Sequence, residues 1–172
     1  MANLQLKEMG QLYFISPTKG KMHIDQMFED IMDFVEGDRQ ADYRLMIGTD
    51  SQPGNSICFV TAVIIYRVGK GARYYYRKFY NKKSLTLKQR IFMEATYSIE
   101  IANYLFEKLV EANKNINIQI HLDVGENGKT RDIIKEVVNM VLGCGFEAQV
   151  KPASCGASKV ADKHTKSMAK IG

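Results

Sequence analysis

The chain has 172 residues, of which 45% are hydrophobic and 25% charged, and a formal net charge of +5. That length supports one well-buried core and excludes two ordinary domains. The longest apolar run, residues 57–66, is interrupted by Thr61, and the opening MANLQLKEMG lacks a signal peptide's basic-then-apolar order, so neither a membrane span nor export is expected.

The first extended stretch is Phe14-Ile15-Ser16-Pro17, which reads as an entry and a turn. Ile24, Met27, Phe28, Ile31 and Val35 then recur at helical spacing before Gly37, predicting an amphipathic helix over 23–36. Residues 1–42 are read as an N-terminal extension that carries this extra helix, and 43–172 as the main domain. Segments 45–50, 57–68 and 73–80 are rich in β-branched or aromatic residues and are separated by Gln52-Pro53-Gly54-Asn55 and Gly69-Lys70-Gly71, which predicts an antiparallel meander. Ser84 or Thr86 caps a long helix that reaches about residue 112 on an apolar stripe of Ile91, Ala95, Ile99, Ala102, Phe106 and Leu109. Strand 116–123, helix 130–142, strand 146–150 and a short helix from Val160 follow.

Strands joined through helices pair in parallel by right-handed crossovers, whereas the first three pair as hairpins. The expected fold is α/β: a mixed five-stranded sheet in spatial order 3-2-1-4-5, strand 2 antiparallel, with helices on both faces. In that order Asp50 and Asp123 end two parallel neighbours about 4.8 Å apart. An aspartate at the end of an apolar strand is costly to desolvate unless paired or bound to a cation, and Mg²⁺ or Mn²⁺ relieves the repulsion between two of them. On the long helix, Glu94 lies about 90° from the centre of the apolar stripe, while Glu100 and Glu111 lie nearly opposite it. Glu94 is thus the helix acid best placed at the edge of such a site. Asp162 stands early in the last helix, where capping by the helix dipole is an alternative role. Convergence of the four acids would give two oxygen-rich ion positions suited to phosphoryl transfer.

The ordering of strands, helices and acids resembles ribonuclease H over about residues 43–172. More narrowly, GTDSQ, HLDVGENGKTRD and SKVADKHTK, with FISPTKG near the start, are similar to the bacterial YkuK-like family of ribonuclease H-related proteins. The resemblance implies metal-ligand roles for Asp50, Glu94, Asp123 and Asp162. The chain departs from the ribonuclease H pattern in having Ser51-Gln52 after Asp50 instead of glycine, and in placing Glu94 deeper in its helix.

Residues 51–93 contain no Asp or Glu and are rich in Lys and Arg, which points to a polyanionic partner or to a solvated basic face. Tyr74, Tyr75, Tyr76, Phe79 and Tyr80 alternate with Arg73, Arg77 and Lys78 on the third strand of the meander, a pattern suited to stacking bases and holding phosphates; cations that protect an edge strand are the alternative. Lys82, Lys83 and Lys129 extend the candidate nucleic-acid contacts. His164, and more weakly His121, are candidates for proton transfer. Gly128-Lys129-Thr130 invites a nucleotide-binding reading, but Asp123 occupies the position where a phosphate loop needs its first glycine. Cys58, Cys144 and Cys155 are odd in number and lack CxxC spacing, as expected of reduced thiols in a cytoplasmic protein. The leading expectation is a Mg²⁺- or Mn²⁺-dependent nuclease acting on RNA, DNA or a hybrid; the alternative is a non-catalytic nucleic-acid-binding or interaction module on the same fold.

Overall fold

The computed structural model describes residues 8–125, 127–154 and 156–166, with the backbone alone at Ser158 and Lys159. Cys155 lies outside the described residues; Cys58 is buried, Cys144 exposed, and both are free thiols. Near the start, a turn through Pro17 and Gly20 closes a hairpin of β1 (Tyr13–Ser16) and β2 (Gly20–His23). Gly20 has φ of 79°, a left-handed conformation that costs glycine nothing and other residues strain. Helix α1 (Ile24–Glu36) buries Ile24, Met27, Ile31 and Val35, the stripe expected from their spacing.

The meander follows as β3 (Tyr43–Gln52), β4 (Ile57–Arg67) and β5 (Gly71–Asn81). Helix α2 (Leu87–Glu111) opens on a reciprocal cap: the Thr86 hydroxyl accepts from the Gln89 amide at 3.2 Å, and the Gln89 side chain accepts from the Thr86 amide at 2.9 Å. Next come β6 (Asn117–His121), a 3₁₀ turn (Arg131–Ile133) running into α3 (Ile134–Gly143), then β7 (Glu147–Gln149) and α4 (Ala157–Lys166).

All seven strands form one sheet in the order β2-β1-β5-β4-β3-β6-β7. The inner run β5-β4-β3-β6-β7 has the anticipated order, with β4 antiparallel to both neighbours and β3, β6 and β7 mutually parallel. The expectation of five strands is corrected: the N-terminal hairpin adds two, because β1 pairs with β5 through Ile15 and Tyr76. β5 is therefore covered on its outer side around Tyr76.

Alternation along β3 divides the sheet into two unlike faces. Leu45 and Ile47 enter the main core, which α1, α2 and α3 close with Met27, Ile31, Ile99, Leu105, Val137 and Val141. Each such aliphatic side chain contributes about 1.5–3 kcal/mol by leaving water. Truncating the fully buried Ile120 to alanine is worth about 2–5 kcal/mol of lost transfer energy and cavity. On the other face α4 lies over β3, β4 and β5, and small residues, Ala62, Ala157 and Ala161, let it approach closely.

One buried charge locks the N-terminal part to the sheet. Asp30 of α1 is 6% exposed and accepts from Tyr75 Oη at 2.5 Å and from Arg73 at 3.1 Å, with Lys19 of the hairpin turn completing the network. Burial alone would raise its pKa, but these donors hold the carboxyl below the ordinary range.

Candidate active site

Asp50 sits where the two sheet pairings of β3 part company. Pairing with β6 stops at Gly48 and His121, while pairing with β4 continues through Gln52 and Cys58. Continued in the same register, β6 leads to Asp123 opposite Asp50. The chain has by then left the strand, and Asp123 is 36% exposed while Asp50 is 8% exposed.

Asp50 and Ser51 point to opposite faces, so the site straddles the sheet. On the α4 face, Thr165 Oγ1 donates to Asp50 Oδ2 at 2.9 Å and also to the Asp162 carbonyl at 2.8 Å. On the α2 face, Ser51 Oγ donates to Glu94 Oε1 at 2.5 Å, and Arg90 Nη1 donates to Ser51 Oγ at 3.1 Å. Glu94 lies on the helix flank that the 100° rule assigned to it and is 8% exposed, with Oε1 taken by Ser51.

Burial pushes the Asp50 carboxyl up to about 6; the Thr165 hydrogen bond opposes this, and the charges of Asp123 and Asp162 add to it. Burial likewise pushes Glu94 up to about 8, opposed by the Ser51 hydrogen bond and reinforced by Asp50 and Asp123. Asp50 thus feels the charges of Asp123 and Asp162, and Glu94 those of Asp50 and Asp123, across both sides of the sheet. The two more exposed ones carry lysines: Lys151 Nζ is 2.6 Å from Asp123 Oδ1, and Lys166 Nζ is 2.8 Å from Asp162 Oδ2. Among the described residues, no three His, Cys, Asp or Glu side chains are gathered in a group that could hold a metal ion as they stand.

His164 stacks on Tyr76 of β5, ring centroids 3.6 Å apart and planes within 11°, two strands away from Asp50. Burial lowers its pKa, as do Lys163 and Lys78. His121 points to the α4 face, 3% exposed, with its pKa lowered by burial.

The expected ladder of rings and cations on β5 is divided by strand alternation. Arg73 is committed to Asp30 and lies over Phe34; Arg77 lies over Phe79 at 4.3 Å; Tyr75 is fully buried. Tyr76 is covered by His164, and Phe79 packs between Phe59 and Tyr97. Lys78 is placed differently. Its register partner is Val60, whose partner on the other side is Asp50, so Lys78 shares a face and a row with Asp50 at about 10 Å, two strand spacings. Lys82 and Lys83 are exposed beyond β5, next to Tyr80 at 52% exposure. Lys129 is exposed in the loop after β6, beside Gly128 with φ of 92°.

Ser51, Thr165, Arg90, Lys151 and Lys166 were not singled out by sequence reasoning. The signal for two of them was present: Ser51 adjoins Asp50 on the opposite strand face, and Thr165 lies one helical turn from Asp162.

Residues 26–166 match a family model described as ribonuclease H-like. "Uncharacterized protein YkuK" of Bacillus subtilis (strain 168) is 29% identical over 166 residues, covering 89% of this chain and 96% of its own length. No solved structure matches significantly. Among the described residues, no helix is long and apolar enough to cross a membrane. Sheet order and these two matches agree: the chain belongs to the ribonuclease H-like family, in its YkuK-like group.

Proposed function

We propose that the protein is a divalent-metal-dependent nuclease that hydrolyses phosphodiester bonds of RNA, DNA or a hybrid. One observation carries this reading: Asp50 and Glu94 are buried at one end of the sheet and are driven toward protonation by burial and by neighbouring acids. Such a pair is unfavourable in a merely structural role and becomes favourable when a cation offsets it. The donor set is all oxygen, as hard divalent ions prefer. Asp50, Asp123, Glu94 and Asp162 would hold Mg²⁺ or Mn²⁺, which when bound supplies an activated water and charge stabilisation at phosphorus.

The chain's own groups have definable parts. Thr165 and Ser51 hold the buried carboxylates in place, and Arg90 orients Ser51. Lys151 and Lys166 neutralise Asp123 and Asp162 through well-exposed, weak pairs, which an arriving divalent ion can displace. Lys78, in the same row as Asp50, offers a phosphate contact beside the reacting bond.

The test is cleavage of labelled single-stranded, duplex and hybrid substrates with Mg²⁺ or Mn²⁺, expected for the wild type and absent in Asp50→Asn and Asp123→Asn. Turnover unchanged in both variants, or no cleavage of any substrate, refutes it. A non-catalytic nucleic-acid-binding module is the second reading, favoured by the absence of a ready-gathered ion cage among the described residues. It predicts salt-sensitive binding that is indifferent to the carboxylates.

A further inference from the structure

On the face covered by α4, no described helix lies over β6 and β7. A cleft of about 540 Å³ lies there, within the size range of small-ligand sites, and its lining includes Arg44, Met46, Tyr66, Gln119, His121 and Glu147. His121 is 3% exposed, yet neither ring nitrogen has a hydrogen-bond partner among the described residues. Leaving such a group unsatisfied is unfavourable, and a ligand that reached it from the cleft would relieve that cost. Gly156 keeps the adjoining wall clear: a Cβ there would stand 3.2 Å from His121 Cε1 and 3.2 Å from Met46 Sδ.

The chemistry of the lining restricts what can enter. Glu147 accepts from Asn117 at 2.8 Å, Gln119 at 3.1 Å and Gln149 at 2.6 Å. A carboxylate only accepts, so all three amides turn their NH₂ groups toward it and leave their carbonyl oxygens for another donor. Arg44 balances the Glu147 charge, so the cleft as a whole favours an uncharged ligand. Neutral imidazole adds one donor and one acceptor, while Met46 and Tyr66 offer apolar surface to a flat ring. An uncharged planar heterocycle with N–H donors and at least one acceptor meets all of these demands.

We propose that this cleft binds a single unstacked nucleobase. For a base carried on a strand, the proposal rests on the nuclease reading above: His121 ends the strand two residues, about 7 Å along the chain, before Asp123, so a base in the cleft brings its own phosphate toward the acids. For a free nucleoside it stands independently.

The experiment uses the intact protein in chelator, without metal. Adenosine, guanosine, cytidine and uridine are titrated by calorimetry, and a short single-stranded oligonucleotide is titrated with and without one abasic position; strand cleavage is then measured with Mn²⁺. At least one nucleoside is expected to bind, His121→Leu and Gln149→Leu to weaken it by about tenfold or more, and the abasic strand to lose affinity. His121→Leu replaces an unpartnered polar ring by an apolar side chain, so its melting temperature should hold or rise; should it fail to fold, Gln149→Leu carries the same test. Strand binding and cleavage indifferent to both variants and to the abasic position overturn the cleft and leave the nuclease reading standing. Variant-sensitive nucleoside binding without any strand cleavage does the reverse. Absence of both nucleoside and strand binding refutes the cleft outright.

Discussion

The buried glutamate gives the account its most quantitative consequence. Glu94 moves from an ordinary value of 4.5 to about 8 in the folded, metal-free protein, with burial as the largest cause. Between those two pH values the folded state holds a proton that the unfolded chain has released. Stability without metal is therefore greatest below pH 4.5 as far as this group is concerned, falls as pH rises through that window, and levels off above 8. At about 1.4 kcal/mol per pKa unit the full loss is on the order of 5 kcal/mol, and relaxation around the site reduces it to about 3 kcal/mol or more. Against a total stability of about 5–15 kcal/mol this is large, and at about 2 kcal/mol per molar urea it moves the midpoint by about 1.5–2.5 M. Glu94→Gln keeps the shape and can still accept from Ser51, but cannot ionise. Urea unfolding in chelator at pH 5 and pH 8.5 should show a steep loss for the wild type and a much smaller one for the variant, whose residual slope comes from Asp50, raised from 3.8 to about 6. Addition of Mg²⁺ at pH 8.5 should restore the wild type more than the variant. Equal pH dependence in the two proteins would refute the reasoning.

Three other substitutions probe separate parts of the structure. Thr165→Val keeps the shape but removes the hydroxyl that joins Asp50 to the Asp162 carbonyl; it should cost about 1–3 kcal/mol at pH 8 and less at pH 5, where Asp50 is protonated, as read by urea unfolding at both values. Lys151→Ala removes an exposed partner of Asp123, so thermal unfolding should register less than about 1 kcal/mol, while calorimetry should show tighter Mn²⁺ binding because a competitor is gone. Asp30→Ala leaves Arg73 and Tyr75 without their acceptor and should cost about 3–5 kcal/mol at pH 7. Because the folded pKa of Asp30 is depressed, the stability it contributes is present above pH 3.8 and is lost as pH falls through the folded value, so the penalty should fade in acid unfolding.

What could be read from the chain follows how locally each feature is encoded. Asp50 and Asp123 were legible because an acid ending an apolar strand is anomalous, and strand order follows from which connections are short and which pass through helices. Glu94 was legible as an angle on α2. The hairpin of β1 and β2 was not, since four-residue strands carry too little alternation and their pairing with β5 is long-range. For the same reason the ring-and-cation pattern of β5 was misleading: one sequence stripe serves two faces, each covered by a different helix. Ser51 and Thr165 were missed because a hydroxyl has no signature until the acid it serves is located in space. The His121 cleft depends on which part of the second face α4 leaves open, a tertiary property that no local pattern carries.

Direct measurement of Mn²⁺ binding addresses the central claim. Isothermal titration of the wild type at pH 8 should show binding accompanied by proton release from Glu94, the buried carboxyl still about half protonated there, and Asp50→Asn and Asp123→Asn should each abolish binding without loss of fold. Mn²⁺ binding of equal strength in all three proteins, or none in the wild type, would contradict the account.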